Sequence, residues 1–444
     1  MRRTWLRHFA LLGALALLLA ACAPDEEVAE DPIDVPEEPA EEPEEPAEEP
    51  EAVGVIDGFK GTAPDPGVDE SFLQRLDDYN PGVETIFAPQ AYDCAMMIML
   101  SAQAAGSVAS DAIRDQMLSV TRGDNPVTDF EEARDLLAAG ETINWTSVSG
   151  FEDLSDVGEP ASATYEIWQW VDDALTTLDS RPFAPPDVEV GGIDADPTPD
   201  PADTDEALHI GYILPETGPL ADLGPAQISG VELAIQEVNE AGGVLGQEVV
   251  LSSGDEAGDA GVASEEADRL LADGVHAIVG AAASGMSLAI IDQITGAGVV
   301  QCSASNTAPE FTDYDDNGYY FRTAPSDGLQ GPALAEIILE DGHTDVALLA
   351  RADDYGVGLL EFTRAALEEA GANIVFADTY DPEAVTFDAE VSEMIAAGPD
   401  AVAIVPFIDD GVPLIQTLIE QGWDMGALYG ADGIRDGGLN ERVG

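Results

Sequence analysis

Basic residues are scarce in this sequence. Its 444 residues include 15 Lys and Arg against 89 Asp and Glu, a formal net charge of -74, and Lys60 is the only lysine. A surface of this sign repels the phosphate backbone of nucleic acids, so we expect no nucleic-acid partner. It also repels anionic lipid, so we expect membrane attachment only through a covalent or hydrophobic anchor.

Cysteine and histidine are also rare. Three cysteines are too few for a small disulfide-stapled scaffold. The four histidines and three cysteines show none of the spacings of a structural zinc site. We therefore expect neither a metal site nor a cofactor.

The N-terminus has the pattern of a signal peptide. Three arginines within the first seven residues precede an apolar run from Phe9 to Ala21, which is too short for a comfortable transmembrane helix. The run ends in the sequence LAAC, which resembles a bacterial lipobox with its cysteine at Cys22. The resemblance implies that the sulfur of Cys22 is acylated and that Cys22 becomes the new N-terminus. The alternative is an ordinary signal peptide that is cut at a small-residue site.

Two acidic, proline-rich stretches interrupt the chain. Residues 23–53 are nearly all Glu, Asp, Pro and Ala, and residues 183–206 are again rich in Pro, Asp and Gly. Like charges and proline disfavour collapse. We expect the first stretch to be an extended tether and the second to be an internal linker.

From Leu208 onward, short apolar stretches alternate with helix-length segments. Continuous apolar strands that alternate with helices are typical of parallel sheets covered on both faces, so we expect an α/β fold. There are too many units for one small sheet, and we expect two Rossmann-like lobes that change over near residues 323–327. The clearest helix is 224–240, and the predicted strands are 209–214, 249–251, 276–280, 299–302, 346–350, 374–377 and 402–405.

Small polar residues follow several of these strands. Ser284 follows one strand, Ser305 and Thr307 follow the next, and Tyr355 and Asp432 follow strands of the second lobe. In such sheets, ligands sit beyond the carboxyl ends of the strands. Each residue alone is more often part of a helix N-cap, but together they indicate a binding site. Hydroxyls and helix N-terminal amides suit a carboxylate, and an acid on the facing lobe suits an ammonium group.

These segments resemble the type I periplasmic solute-binding proteins, specifically the leucine/isoleucine/valine-binding family of ABC transporters. The motifs include TGP at 217–219, AGG at 241–243 and YGVG at 355–358. The resemblance implies two lobes that are joined by a hinge and close over a small molecule. The segments that carry it are 211–224, 230–246, 303–312, 322–331, 354–358 and 430–433.

The remaining motifs of that family lie upstream in this chain. Residues 58–64, 87–93, 143–150 and 165–168 resemble parts that would follow Gly444 in the usual order. The swapped order implies a circular permutation, and the alternative is a truncated tandem of two binding proteins. We expect a lipoprotein signal peptide (1–22), an acidic tether (23–53), the C-terminal portion of the binding fold, mostly lobe 1 with its last strand in lobe 2 (54–182), an acidic linker (183–206), the core of lobe 1 (207–324) and the core of lobe 2 with a return to lobe 1 (325–444).

The resemblance also implies ligand-binding roles. Asp432 would meet the ammonium group of the ligand, Tyr355 would close over the ligand, and Phe407 would line that side. The lobe 1 positions that would hold the ligand carboxylate are Ala283, through its backbone, Ser284, Ser305 and Thr307.

Two further features depart from the family pattern. Leu223 stands where relatives often carry an aromatic residue, which leaves the side-chain pocket undetermined. The family's frequent disulfide in lobe 1 is not matched. Cys94 and Cys302 could share a lobe, but we expect each to be a buried small residue.

The sequence therefore predicts an extracytoplasmic, lipid-anchored solute-binding protein. Its ligand would be a branched-chain-like amino acid, and its partner would be the permease of an ABC transporter. The alternatives are a module that binds an amide- or urea-type solute and a sensory receptor. We do not expect an enzyme, because Ser284-Gly285 lacks the G-x-S-x-G elbow and no histidine is placed as its base.

We expect salt to stabilise this protein. Repulsion among the 89 acidic side chains extends over about 30 Å at 0.01 M ionic strength and about 3 Å at 1 M. The melting temperature, followed by circular dichroism, should therefore rise from dilute buffer to molar NaCl, as adaptation to a salt-rich habitat would require. A flat or falling curve contradicts this and favours a genome-wide acidic bias instead.

Protein extracted from membranes should begin at an acylated Cys22. Intact-mass spectrometry measures the lipid on the mature N-terminus, and a Cys22→Ser variant should lose that mass. Recovery of a soluble protein that begins at another residue would support the ordinary signal peptide.

Overall fold

The computed structural model describes residues 54–65, 67, 70–184, 190–193, 195–199 and 204–444. All of them belong to one compact unit. The predicted signal peptide, the lipid-modified Cys22 and the acidic tether lie outside the described residues and stay predictions.

The described part of the chain alternates strands and helices. The strands are β1 Lys60–Pro64, β2 Asn125–Val127, β3 Ile143–Trp145, β4 Ala163–Val171, β5 Ala174–Phe183, β6 His209–Ile213, β7 Val250–Ser252, β8 Ala277–Gly280, β9 Val300–Ser303, β10 Tyr320–Arg322, β11 Asp345–Arg351, β12 Asn373–Tyr380, β13 Ala401–Val405 and β14 Leu428–Gly430. The helices are α1 Glu70–Tyr79, α2 Ala88–Ala105, α3 Ser110–Gln116, α4 Phe130–Ala138, α5 Gly224–Glu240, α6 Ala260–Ala272, α7 Ser284–Gly296, α8 Asp327–Glu340, α9 Asp354–Glu369, α10 Asp388–Ala396, α11 Ile408–Glu420 and α12 Leu439–Val443.

Lobe 1 is built on a parallel sheet of five strands in the order β10-β9-β8-β6-β7. Along β8, Ile278 packs in an apolar cluster with α6 and α7, whereas Ala277 and Val279 pack in the cluster that contains α2 and α5. Alternate side chains of a strand point to opposite faces of its sheet. Both faces of this sheet are therefore covered by helices, which explains its continuous apolar strands.

Lobe 2 is built on a sheet of seven strands in the order β12-β11-β13-β14-β1-β4-β5. The upstream strand β1 pairs in parallel with β14 and antiparallel with β4. Strands β4 and β5 form a hairpin whose two turn residues, Asp172 and Asp173, have φ values of 52° and 63°. A two-residue turn with both φ values positive matches the twist of the paired strands.

The predicted α/β fold with parallel-rich sheets is confirmed. Each predicted strand overlaps an observed strand, and the predicted helix 224–240 coincides with α5. Strand β5 and the position of β1 in the lobe 2 sheet were not predicted from the sequence. The elements of 327–443 belong to lobe 2, and the chain reaches lobe 1 instead between β1 and α1.

Within the described residues, the chain passes between the lobes twice, between β3 and β4 and between β10 and α8. The second of these connections is the predicted changeover at 323–327. The described part of the acidic linker lies along lobe 1, where the N–H of Thr198 donates to the carbonyl of Ala104 at 2.8 Å.

Helix α2 is the most deeply buried helix of lobe 1. All residues from Ala88 to Ala104 are buried, which is typical of a helix that forms the core of a domain. Among the described residues, no single helix has the length and hydropathy of a membrane span, and one pair, 88–105 with 110–121, meets the criterion only together and across a bend of 103°.

The expectation that Cys94 and Cys302 are unpaired was wrong. They form a disulfide that joins α2 to β9, with their Cα atoms 5.8 Å apart. The residues are 208 positions apart in the chain, so the pairing depends on how the upstream segment packs against lobe 1. One signal was available in the sequence: once Cys22 is assigned to the lipobox, two cysteines remain.

This disulfide should contribute strongly to stability. A bridge across so long a loop restricts the unfolded chain, and removal of such a bridge typically costs about 2–5 kcal/mol. The double variant Cys94→Ala/Cys302→Ala should therefore melt well below the parent in thermal unfolding. A reductant should lower the melting temperature of the parent and leave that of the double variant unchanged. Equal melting temperatures of the parent and the double variant would contradict the pairing.

Candidate functional site

A cavity lies between the two lobes, at the carboxyl ends of their parallel strands. The loops after β8 and β9 form its lobe 1 wall, and the loops after β11, β13 and β14 form its lobe 2 wall. This is the edge at which open α/β sheets bind ligands. The residues that line the cavity are Phe87, Leu223, Ala282, Ala283, Ser284, Ser305, Tyr355, Phe407, Asp432 and Gly433.

The structure brings six of the seven predicted ligand-binding residues to this cavity. From lobe 1 come Ala283, Ser284 and Ser305, and from lobe 2 come Tyr355, Phe407 and Asp432. Thr307 is not among the lining residues. The roles of these residues in ligand binding stay predictions.

The lobe 1 wall presents the start of a helix and a hydroxyl group. Ala283 is the N-cap of α7, and Ser284 is its first residue. The hydroxyl of Ser305 donates to the carbonyl oxygen of Ala282 at 2.8 Å, and Oε1 of Gln227 is a second acceptor at 3.1 Å. The N–H groups in the first turn of a helix and the positive end of its dipole favour a negatively charged group at this wall.

Thr307 lies at the hinge between the lobes. It is fully buried, and its hydroxyl faces the carboxylate of Asp327 without a well-formed hydrogen bond to the described residues. Its carbonyl accepts the N–H of Asp327 at 2.8 Å. Arg322 fixes the same loop by donating to the carbonyls of Asn306 at 3.2 Å and Ala308 at 2.8 Å.

The lobe 2 wall presents a buried carboxylate. Oδ1 of Asp432 accepts hydrogen bonds from Nε2 of Gln330 at 2.6 Å and from the hydroxyl of Tyr355 at 3.2 Å. Burial raises the pKa of Asp432 to about 6, because these donors only partly replace the lost hydration. Among the lining residues, Asp432 is the only acid, and none of them is basic.

A stack of three side chains supports this wall. The rings of Tyr355 and Phe407 are stacked at 5.0 Å with 3° between their planes, and the guanidinium of Arg351 lies 4.0 Å from the centre of the Phe407 ring. Nη1 of Arg351 in turn lies 2.6 Å from Oδ1 of Asp410, with which it forms a salt bridge. A Cβ atom at Gly433 would lie 2.9 Å from the Tyr355 hydroxyl, so glycine is needed there for the close approach.

Four lining residues were not predicted as ligand contacts. Leu223 was noted only as the position where relatives often carry an aromatic residue. Ala282 and Gly433 are next to predicted residues in the sequence. Phe87 comes from the upstream segment, at the N-cap of α2, with a φ of 60°. A phenylalanine in this backbone region is an outlier and a signal of a functional constraint, but the sequence alone does not reveal it.

The cavity between the lobes is nearly closed in this structure. Its volume is about 10 Å³, enough for about one water molecule. The lobes must therefore separate before a solute of amino-acid size can enter. No group of three or more Cys, His, Asp or Glu is arranged to hold a metal ion in the part of the chain described.

Comparison with known proteins agrees with this architecture. The family model of the periplasmic binding proteins matches residues 207–438, more than half of the chain. The Leu/Ile/Val-binding protein homolog 3 of Brucella melitensis is 30% identical over 224 residues, which cover 50% of this chain and 61% of that protein. Homolog 7 of Brucella abortus is 31% identical over 242 residues, which cover 52% and 60%.

The chain thus spans about three fifths of the length of these curated relatives. Among solved structures, a type 1 periplasmic binding protein from Bordetella pertussis overlays with a TM-score of 0.50 and 24% identity, covering 54% of this chain and 66% of that one. This likeness concerns the fold alone. With a family match over more than half of its length and the two-lobed fold of that family, the chain belongs to the periplasmic binding proteins.

Proposed function

We propose that this protein captures a small amino acid outside the cytoplasm and delivers it to the permease of an ABC transporter. The observation that carries the proposal is the pairing of one buried acid, Asp432, with a facing wall of helix N-terminus and hydroxyl groups. The relatives named Leu/Ile/Val-binding proteins support an amino acid as the ligand class.

A zwitterion satisfies both walls at once. An unpaired carboxylate is costly to bury, so a cavity that contains Asp432 and no basic residue favours a cationic group. The N–H groups at the start of α7 favour an anionic group on the opposite side. An amino acid carries both groups on one carbon atom, and the closed form would join the two lobes through them.

The rest of the cavity suits an aliphatic side chain. Phe87, Leu223 and Phe407 line it with apolar surface. Ligand pockets commonly combine such surface with a few polar groups that fix orientation. We therefore infer a branched-chain-like side chain, bound without a cofactor and without catalysis.

Anchoring and delivery complete the proposal. Acylation of Cys22 would keep the protein on the outer side of the cell membrane through lipid alone, which suits a surface with a charge of -74. A charged tether of residues 23–53 would let the binding fold reach the permease. The alternatives that remain are an amide or urea ligand and a role as a sensory receptor.

Replacing the acid tests the ligand class. Asp432→Ala should weaken leucine binding by about 100-fold or more, because it removes charge-assisted hydrogen bonds of about 1.5–3 kcal/mol each and leaves a buried ammonium unpaired. Isothermal titration calorimetry in high salt measures the change. Asp378→Asn, an exposed acid on β12 of the same lobe, is the matched control and should bind as the parent does.

Two results would redirect the assignment. If Asp432→Ala binds leucine as tightly as the parent, the ligand is not an amino acid held in this way. If the parent binds no amino acid in a thermal-shift screen but responds to an amide or urea, the alternative ligand class replaces the first.

We also propose that the chain is a circular permutant of its family. The upstream segment supplies β1 and β4 to the lobe 2 sheet and α2 to the lobe 1 core. A Cβ atom at Gly444 would lie 3.0 Å from Cγ2 of Val55, so residue 444 lies beside the start of that segment. These contacts support one complete fold rather than a truncated tandem, in which the two parts would not complete each other.

A reordered chain tests the permutation. Gly444 would be linked to Gly54, and the chain would be opened between residues 185 and 203. This variant should keep the melting temperature and leucine affinity of the parent, because permutation is tolerated where the joined ends are close. A chain of residues 204–444 alone should fail to unfold cooperatively, and cooperative folding of that piece would contradict the proposal.

A further inference from the structure

A second buried carboxyl group lies next to the proposed ligand acid. Asp327 is the first residue of α8 and is fully buried. Neither of its carboxylate oxygens accepts a well-formed hydrogen bond from the described residues. Three further buried oxygen atoms in this region also make no well-formed hydrogen bond with those residues: Oγ1 of Thr62, Oγ1 of Thr307 and Oε1 of Gln330.

The helix α8 places Asp327 close to Asp432. Residues three apart on a helix share one face, with Cβ atoms about 5–6 Å apart, so Asp327 and Gln330 point the same way. Nε2 of Gln330 bonds Oδ1 of Asp432 at 2.6 Å. Both carboxylates lie close enough to the buried Tyr165 and Tyr355 to raise the pKa of each tyrosine through their charge, after the larger effect of burial. The two acids therefore form one cluster.

The surroundings of this cluster are poor in positive charge. Arg322 is the cation whose charge lowers the pKa of Asp327. Its Nε also donates to Oε2 of Glu159 at 2.9 Å, so its charge is shared between the two acids. Burial and the charge of Asp432 hold the pKa of Asp327 well above its usual range. The polar and charged groups that face the two carboxyls are Thr307 and Glu310 from the loop after β9, Arg322 from β10, Tyr165 from β4, Tyr355 from α9 and Gln330 from α8.

We propose that Asp327 and Asp432 act as a two-carboxyl centre that holds one proton in the ligand-free protein and exchanges this proton for the ammonium group of the ligand. On binding, the O–H bond of the protonated carboxyl breaks, and the proton passes to the solvent buffer. The ammonium keeps its own three protons and takes over the role of the counter-charge. This inference rests on the proposed function and deepens it, because it makes Asp327 a residue that selects for a cationic group.

The exchange has a consequence for specificity and for pH. A neutral amide or urea cannot replace the proton, so such a solute gains nothing from the centre. Protons compete with the ammonium, so leucine affinity should fall as the pH falls through the range in which the pair holds its proton. When one proton is released per ligand, the dissociation constant should rise about tenfold for each pH unit lost.

Calorimetry in buffers of different ionisation enthalpy counts the released protons. With L-leucine at neutral pH and fixed salt, the parent should release close to one proton per molecule bound. Asp327→Asn keeps the shape of the side chain but cannot hold the proton, so it should bind leucine with close to zero release and with little pH dependence near neutrality. Asp313→Asn, an exposed acid in the turn before β10, is the matched control and should release as many protons as the parent.

The outcomes separate this inference from the proposed function. If leucine binds and Asp432→Ala weakens it, but the parent releases no proton or Asp327→Asn releases as many as the parent, the two-carboxyl centre is overturned and the binding site remains. If leucine does not bind the parent, the proposed function fails instead.

An infrared measurement then still tests the centre without any ligand. The spectrum of the ligand-free parent at neutral pH, minus that of Asp327→Asn, should contain the C=O stretch of a protonated carboxyl group. A difference spectrum without that band would overturn the inference.

Discussion

Helix α2 is buried from Ala88 to Ala104 and most of its side chains are apolar, so it must be surrounded by other elements. It packs most extensively against α5 and also against α3 and α4, and it reaches β8 and β9 of the lobe 1 sheet. Its one buried acid, Asp93, accepts hydrogen bonds from Nε1 of Trp145 at 2.8 Å and from the N–H of Ser149 at 2.8 Å. The downstream part of the chain therefore lacks one face of its lobe 1 core without the upstream segment. The disulfide to Cys302 fixes that dependence covalently.

The same dependence reaches the cavity and the hinge. At the changeover between the lobes, the hydroxyl of Thr323 donates to the carbonyl of Gln90 on α2 at 2.8 Å. Phe87, which precedes α2, lines the cavity itself, and Nε2 of Gln330 contacts the carbonyl of Thr62 on β1 at 3.3 Å. The changeover between the lobes and Gln330, which bonds Asp432, thus both contact a segment that lies outside the region matched by the family model.

The architecture of the downstream part follows from local patterns in the sequence. Apolar strands such as 402–405 are buried on both faces, and burial on both faces leaves a continuous hydrophobic run that can be seen without a structure. The residues of the cavity could be predicted for a related reason. Parallel strands end at one edge of a sheet, so polar residues that follow them, such as Ser305 and Asp432, come together.

What could not be predicted depends on contacts between distant parts of the chain. The Cys94–Cys302 pair joins residues 208 positions apart, and no local pattern marks it. Phe87 reaches the cavity through a backbone conformation that its side chain does not favour. Strand β5 is mostly exposed and polar, so it lacks the apolar signal that identified the other strands. In the sequence, Asp327 looks like an ordinary acid in the first turn of a helix. Only its burial beside Asp432, which the structure shows, distinguishes it from other such acids.

A crystal structure of the full binding fold grown with L-leucine at neutral pH would show where and how the ligand binds. We expect leucine between the lobes, with its ammonium nitrogen within hydrogen-bond distance of the Asp432 carboxylate and its carboxylate at the start of α7. Its side chain should contact Phe87 and Phe407. Leucine in the reverse orientation, leucine at another place, or an unliganded cleft at saturating leucine would contradict the proposed mode of binding.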